Sequence, residues 1–263
     1  MKTIAFFNVK GGVGKTTSSI TVAHNLATAF NKRVLIIDLD PQSNTTDFFN
    51  CYDKQFTVAN VLSGKGYDEN GKETLIKIKD AICKTDFKNL DILPARLDLG
   101  RVEKQLVADV SSPQQFRLRK ALSDITDDYD FVIIDCSPSA ESLVNTNGLA
   151  VADAVFVPLK CDKWATRGLN ATLEVVDTIS EYNTNLVFGG AFFVQWENRN
   201  VNKVVYENLK EELDTKMFDI KIRKNKSVEE MTYTNTPLML YDKKGTATTD
   251  YLELTKKIVE IVR

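Results

Sequence analysis

The feature that most constrains the fold is a glycine-rich turn, "NVKGGVGKTTSS", which follows an apolar run near the N-terminus and leads into a helical pattern. Glycines at 11, 12 and 14 let successive backbone N–H groups turn inward around phosphate oxygens, because no Cβ stands in the way. A helix that opens near Lys15 adds the positive end of its dipole. The stretch therefore predicts a phosphate site at the end of the first strand.

The spacing is a variant of the P-loop pattern G-x-x-x-x-G-K-[ST]. Counting back from Lys15, the pattern requires glycine at 14 and again at 9, but Val9 occupies the second place. Lys10 also stands at the front of the loop. In a P-loop, Lys15 reaches the β- and γ-phosphates and the hydroxyl of Thr16 binds Mg²⁺. A glycine-rich turn without function is disfavoured, because a strand precedes and an amphipathic helix follows.

Apolar runs alternate with helical spacing along the whole chain. The runs are "TIAFFN", "RVLIID", "LDILPA", "FVIIDC", "DAVFVPLK" and "NLVFGGAFFV", and helical patterns cover residues 15–30, 113–126 and 166–182. Strands that are apolar on both faces and alternate with helices predict a parallel sheet covered on each side. We expect an α/β fold, a doubly wound, mostly parallel sheet, in a single domain over residues 1–263.

Two other segments give local predictions. Residues 63–74, "SGKGYDENGKET", combine glycines with charges, which indicates an exposed loop. The C-terminal pattern predicts a packed helix with one apolar face. That face consists of Tyr251, Leu254, Ile258 and Val262.

Composition excludes several classes. The formal net charge of −2 argues against a globally basic nucleic-acid coat. No apolar run approaches the roughly 20 residues that span a bilayer, and no secretory signal is recognisable, so a cytoplasmic protein is expected. The four cysteines form no CxxC or Cys/His cluster, which predicts reduced thiols without zinc. The only histidine, His24, lies inside a helical pattern and is interpreted as structural.

Carboxylates follow two of the predicted strands. The segment "IIDLDPQSNTT" contains Asp38 and Asp40, and "VIIDCSPS" contains Asp135. A lone aspartate at a strand end is often a helix cap or turn former. Three of them beside a P-loop instead favour function, because ligands of open α/β sheets bind at the carboxyl ends of the strands. Pro41 and Pro138 follow these motifs and fix the local turns.

The three motifs together resemble the deviant Walker A ATPases of the ParA/MinD family, and the resemblance runs essentially from Met1 to Arg263. It implies ATP and Mg²⁺ as cofactors and an ATP-dependent homodimer. In that family the early lysine, here Lys10, crosses to the nucleotide of the partner subunit. By motif position, Asp40 orients the attacking water, Asp38 helps to shape the Mg²⁺ shell and Asp135 holds Mg²⁺ through water.

The resemblance also fixes the predicted site. Its catalytic residues are Lys10, Lys15 and Asp40; its nucleotide-binding residues are Lys10, Gly11, Gly12, Val13, Gly14, Lys15, Thr16, Thr17 and Pro237; its metal residues are Thr16, Asp38 and Asp135. Pro237 belongs to a closing segment, "NTPLMLYDKKGTATTDYLEL", whose proline loop lies by the adenine in the family. Two positions depart from the family pattern: Val9 replaces the usual glutamine, and Arg223 stands where many relatives have proline.

Members of the family differ in what they work on. ParA-like members bind DNA nonspecifically as ATP dimers and release it when a ParB-like or other adaptor protein stimulates hydrolysis. The charges of "DIKIRKNKS" predict such electrostatic DNA contacts here, and Arg199 resembles in position an arginine that the family uses for DNA. The predicted contacts are Arg199, Arg223, Lys224 and Lys226. A solvated basic turn is the alternative, since Glu229 and Glu230 lie close by. The DNA reading places the ATP-bound protein on the nucleoid.

Other members give the competing hypotheses. MinD-like members bind membranes through a C-terminal amphipathic tail, but the last helix balances Lys256 and Lys257 against Glu253 and Glu260, so no stable membrane binding is expected. An ATPase that positions a protein cargo is a further alternative. An iron–sulfur relative is disfavoured, because the surroundings of the cysteines do not resemble cluster ligands. No helix-turn-helix segment is recognisable at the N-terminus, so autorepression is not expected.

Overall fold

The computed structural model describes residues 1–110 and 112–263, and ten strands are found there. They are β1 (Lys2–Phe6), β2 (Val34–Leu39), β3 (Lys65–Tyr67), β4 (Glu73–Leu75), β5 (Cys83–Lys84), β6 (Leu90–Leu93), β7 (Phe131–Cys136), β8 (Ala154–Lys160), β9 (Val187–Trp196) and β10 (Met217–Arg223). Eight of them form one sheet in the order β10-β9-β8-β1-β7-β2-β6-β5. All neighbours in it are parallel except β5 and β6. The predicted doubly wound fold is confirmed.

Twelve α-helices lie within the same residues. They are α1 (Lys15–Thr28), α2 (Asn44–Phe48), α3 (Val58–Ser63), α4 (Ile78–Ala81), α5 (Leu99–Ala108), α6 (Arg117–Leu122), α7 (Leu143–Val151), α8 (Ala165–Ser180), α9 (Asn200–Leu213), α10 (Lys226–Tyr233), α11 (Leu238–Tyr241) and α12 (Thr246–Val262). Short 3₁₀ turns occur at Gln114–Phe116, Ser123–Ile125 and Asp214–Lys216.

The sheet separates two hydrophobic cores. On one face β1 contributes Ile4 and Phe6, which pack with α1, α2, α10 and α12. On the other face Ala5 of the same strand packs with α3 and α5 to α9. Both faces of the central strands are therefore buried, which explains why these strands are continuous apolar runs rather than alternating ones. Burial on both faces fixes the register of each strand relative to its neighbours. It thereby also fixes the positions of the loops that follow the strands.

The structure corrects the prediction for residues 63–74. Strands β3 and β4 pair antiparallel within this segment, with Gly66 opposite Thr74, so it forms a hairpin and not a plain loop. Gly66 is required at this position, because a Cβ there would come within 2.8 Å of the side chains of Ile76 and Phe56. The terminal helix agrees with its prediction. All four residues of the proposed apolar face of α12 are buried.

The cysteine prediction is wrong for one pair. The structure joins Cys51 and Cys83 in a disulfide, with their Cα atoms 6.4 Å apart. Cys51 follows α2 and Cys83 begins the edge strand β5, so the pair forms only when these two elements meet in the fold. Cys136 and Cys161 are free thiols, as predicted.

Among the described residues, no helix combines the length and the apolar character that crossing a bilayer requires.

Candidate active site

The glycine-rich turn connects the end of β1 to the start of α1. Gly12 and Gly14 have φ values of 70° and 77°, in the left-handed region that favours glycine. The ammonium of Lys15 curls back over the loop and donates to the carbonyl of Lys10 at 2.9 Å. Lys15 is buried, and burial lowers its pKa, while the negative charge of Asp135 opposes that shift. The loop therefore presents a desolvated cation beside the backbone N–H groups of a glycine-rich turn, which is the chemistry that a polyphosphate requires.

Lys10 points away from this loop. Its ammonium forms an ion pair with Asp162, which follows β8, and the side chain remains about one quarter exposed at 27%. Its backbone is held in place, since Lys10 N donates to Asn8 Oδ1 at 2.9 Å and Val9 N donates to Thr172 Oγ1 at 3.2 Å. The two lysines of one loop thus occupy different environments, one inside the loop and one outside it.

Two aspartates meet at the same level of the sheet. Asp38 lies one residue before the end of β2, opposite Asp135 on β7, and Asp135 lies opposite Phe6 at the end of β1. Both carboxylates are within 1% of complete burial. The phosphate loop and the two carboxylates are therefore neighbours because three adjacent parallel strands end together.

Hydroxyl groups of α1 and α2 bind these carboxylates. Thr45 donates to Asp135 at 2.7 Å, and Thr46 donates to Asp38 through both its hydroxyl and its backbone N–H, at 2.8 and 2.9 Å. Ser19 of α1 donates to Asp135 at 3.1 Å. These threonines belong to the "DPQSNTT" segment, which was selected for its aspartates and not for them.

Burial raises the pKa of Asp38, and the charge of Asp135 raises it further. Burial also raises the pKa of Asp135, against the opposing effect of bonds from Thr45, Thr16 and Ser19. Two such carboxylates favour a cation between them and the phosphates. Among the described residues no group of three His, Cys, Asp or Glu side chains is placed to hold a metal. The donor set fits Mg²⁺, which binds one or two carboxylates together with water and phosphate oxygens; Thr16, Asp38 and Asp135 would hold it.

Asp40 lies at the edge of this cluster. Its backbone N–H donates to Asp38 at 3.0 Å, and its carboxylate accepts the N–H of Gln42 at 2.9 Å. With Ser137 and Pro138 it lines a cavity of about 300 Å³. Asp40 is thus the aspartate of the three that water can reach, which suits a residue that orients an attacking water.

Pro237 lies apart from the loop's own cleft. It is buried at the start of α11, where its carbonyl accepts the N–H groups of Leu240 and Tyr241. The cleft beside the loop is lined by Gly14 and Thr17, and Pro237 is not among the residues around it. An adenine contact of Pro237 stays a prediction.

The cations predicted to bind DNA lie near one another but are mostly paired. Arg199 and Lys224 both bond Glu197, with Lys224 Nζ 3.2 Å from its carboxylate. Lys226 is exposed, and no carboxylate within the described part of the chain pairs with it. This basic patch therefore has less free charge than its sequence suggests.

Arg223 is the fourth of these cations and differs from the others. Its guanidinium forms a two-point contact with Asp250, which is 6% exposed, and it borders the cleft beside the phosphate loop. Neither Asp250 nor Asp162 was singled out from the sequence. Each lies far along the chain from its partner cation, so no local pattern signals it.

A parallel sheet with a lysine-bearing phosphate loop at one strand end and two buried aspartates at neighbouring ends defines a P-loop NTPase. The sequence profile described as AAA domain (AAA_31) matches residues 1–188. The chromosome-partitioning ATPase Soj of Treponema pallidum is 34% identical over 260 residues, which is 98% of this chain and 97% of that protein. The chain therefore belongs to the ParA/Soj family of partition ATPases, as its motifs predicted.

Solved structures agree with this assignment. A plasmid partition protein of Borrelia burgdorferi bound to AMPPNP is 26% identical, with a TM-score of 0.74, and the match covers 99% of this chain and 97% of that one. Cobyrinic acid a,c-diamide synthase of Mycobacterium smegmatis, with an ATP analogue and magnesium, is 27% identical with a TM-score of 0.80 and covers 97% and 93%. The second match is a synthase, so the fold alone does not identify the function of this chain.

Proposed function

We propose that the chain is a ParA-like partition ATPase whose ATP-bound homodimer binds DNA nonspecifically and releases it on hydrolysis. ATP and Mg²⁺ are its cofactors, and hydrolysis is weak until a ParB-like or other adaptor protein stimulates it. The protein acts in plasmid or chromosome segregation as one domain over residues 1–263. It resides in the cytoplasm and associates with the nucleoid when ATP is bound.

The observation that supports the proposed dimer is that the two lysines of the loop lie in different environments. Lys15 lies inside its own loop, whereas Lys10 extends to Asp162 and leaves that loop without a second cation. Phosphoryl transfer is catalysed largely by positioning and by neutralising charge around the γ-phosphate. A lysine that is held outside its own site can supply this charge to the nucleotide of a second copy, so ATP joins two subunits.

The geometry within one subunit supports the remaining roles that we propose. Lys15 binds the β- and γ-phosphates, while Thr16 and Asp135 hold Mg²⁺ with Asp38 shaping its surroundings. Asp40, which water can reach, orients the attacking water. The bound cation supplies charge neutralisation at the phosphates.

The test of this function is the substitution Lys10→Ala in an Asp40→Ala background, which should retain ATP because the water-orienting carboxylate is missing. We expect ATP affinity within a few-fold of the parent and a monomer by size exclusion with light scattering. Loss of a charge pair that is buried on association costs about 2 kcal/mol or more, so the dimer weakens by roughly 30-fold or more.

Lys32→Ala is the matched control, since Lys32 is exposed before β2 at the opposite end of the sheet. It should dimerise with ATP like the parent. Stable ATP-dependent dimers of the Lys10→Ala protein would contradict the proposed exchange of lysines between subunits.

An ATPase that positions a protein cargo is the second candidate function. The observation in its favour is Glu197, which neutralises two of the proposed DNA contacts, Arg199 and Lys224. A MinD-like membrane role is less well supported, because the apolar face of α12 is packed against the core and is not free for lipid.

A further inference from the structure

The cleft beside the phosphate loop lies on the side where a nucleotide must leave it. In a P-loop the α- and β-phosphates bind the loop N–H groups, the lysine reaches the β- and γ-phosphates and the hydroxyl after it binds Mg²⁺. The γ end therefore points toward the aspartates at the ends of β2 and β7. The ribose and base extend the other way, past Gly14 and Thr17 into the cleft that these residues line.

The enclosed part of this cleft is small. Its volume is about 40 Å³, little more than one water molecule occupies. A purine therefore does not enter it as the side chains stand, and lies across its mouth. The exposed residues of the mouth are Gln195, Arg223, Lys224 and Glu229.

Among these four residues, Arg223 has a side chain whose guanidinium plane is fixed by hydrogen bonds. Its Nε and Nη2 atoms donate to the two oxygens of Asp250 at 2.9 and 2.6 Å, and its own backbone N–H donates to the same carboxylate at 2.9 Å. The side chain is nevertheless 50% exposed. A guanidinium fixed at two points keeps a planar face in one orientation, and such faces stack on aromatic rings.

Asp250 is itself fixed relative to the phosphate loop. The next residue of α12, Tyr251, bonds Ser18 of α1 through its hydroxyl at 3.2 Å. One turn further, Thr255 accepts a bond from Asn25 of α1 at 3.1 Å. Since α1 begins at the loop lysine, the Arg223 face and the phosphate loop are parts of one rigid arrangement.

We propose that Arg223, held by Asp250, is the surface on which the base of the bound nucleotide stacks, and that it belongs to the nucleotide site and not to the DNA-binding patch. The inference rests on the proposed function only in requiring that the chain binds ATP. Stacking uses the face of the base and not its hydrogen-bonding edge, so Arg223 strengthens binding of ATP and GTP alike.

The test compares ATP with tripolyphosphate, which has the phosphates but no base. Arg223→Lys keeps the charge opposite Asp250, so the buried carboxylate stays paired, but it removes the planar face. We expect titration calorimetry with Mg²⁺ to show about a tenfold loss of affinity for ATP and for GTP, in line with the energy of one stacking contact. Affinity for tripolyphosphate should stay within twofold of wild type.

Arg33→Lys is the matched control. Arg33 is also a guanidinium held by a carboxylate, that of Asp130, but it precedes β2 at the far end of the sheet. It should leave all three affinities unchanged. Equal losses for ATP and tripolyphosphate would show an electrostatic or structural role and overturn the proposal. Unchanged ATP affinity, with or without weaker DNA binding, would overturn it too. Failure of the wild-type protein to bind ATP at all would instead overturn the proposed function.

Discussion

At the scale of single residues, His24 shows how burial sets a pH dependence. It is 2% exposed, its Nε2 lies 3.2 Å from the Thr28 hydroxyl, and its ring packs edge-on against Phe87. Burial lowers its pKa from 6.5 to about 4. Protonation therefore favours the unfolded chain, whose histidine has the ordinary pKa, and the contribution of neutral His24 is complete above pH 6.5 and is lost as the pH falls toward 4.

The prediction is a loss of about 3 kcal/mol of unfolding free energy across that range, because each unit of pKa difference contributes about 1.4 kcal/mol. Urea unfolding of wild type and His24→Gln at pH 7.5 and 4.5 measures it. Carboxylates titrate in both proteins, so the difference between them isolates His24. Equal losses in the two proteins would show that His24 does not contribute.

Single residues also mark where sequence reasoning stops. Lys10, Lys15 and the aspartates were predictable, because glycines and charges at fixed spacing after a strand have one common use. Their partners were not. Asp162 lies 152 positions from Lys10, and Asp250 lies 27 positions from Arg223, so only the fold brings these pairs together.

At the scale of elements, α12 has a definite role in stability. Leu254 is fully buried on the face that packs with α1 and β10. We predict that Leu254→Ala lowers the free energy of unfolding by about 2–5 kcal/mol, because it removes buried methyl groups and leaves a cavity. Urea unfolding measures the change.

Glu253→Ala is the control for that prediction, since Glu253 is the exposed neighbour on the same helix. It should stay within about 0.5 kcal/mol of wild type. A Leu254→Ala protein as stable as wild type would mean that the helix is loosely attached, and would reopen the membrane alternative.

The strands that are buried on both faces could be predicted from the sequence, and the exposed strands could not. Six of the sheet strands were read from the sequence, because a parallel strand buried on both faces is a continuous apolar run. β10 was missed, since it is an edge strand in which Asp219, Lys221 and Arg223 interrupt the run. The hairpin of β3 and β4 was missed because its glycines and charges indicate a loop equally well.

At the scale of the whole molecule, the proposed ATP-bound dimer predicts a surface that binds DNA. We predict that the Asp40→Ala protein retains random-sequence DNA with ATP and not with ADP, because the proposed dimer would carry two copies of the basic patch. Lys226→Ala should weaken this binding most, since no carboxylate of residues 1–110 and 112–263 pairs with Lys226. The slope of log K against log salt should fall by about one for each copy that contacts a phosphate.

Filter retention of DNA and flotation with phosphatidylglycerol vesicles give the measurement, with Lys32→Ala as the charge-matched control. Vesicle binding with ATP would favour the membrane alternative. Binding to neither surface would favour a protein cargo and contradict the DNA proposal.

The pair of buried aspartates at the ends of β2 and β7 also affects the stability and the lifetime of the protein. Two buried carboxylates that lie next to each other lower the free energy of unfolding. A sequence selected for stability alone would not retain them. The nucleotide and its cation bind only the folded form, so their binding raises the free energy of unfolding that the two aspartates lower. We therefore expect the ligand-free chain to unfold and to be degraded more readily than the nucleotide-bound chain, so that a shortage of ATP lowers the abundance of the protein in the cell.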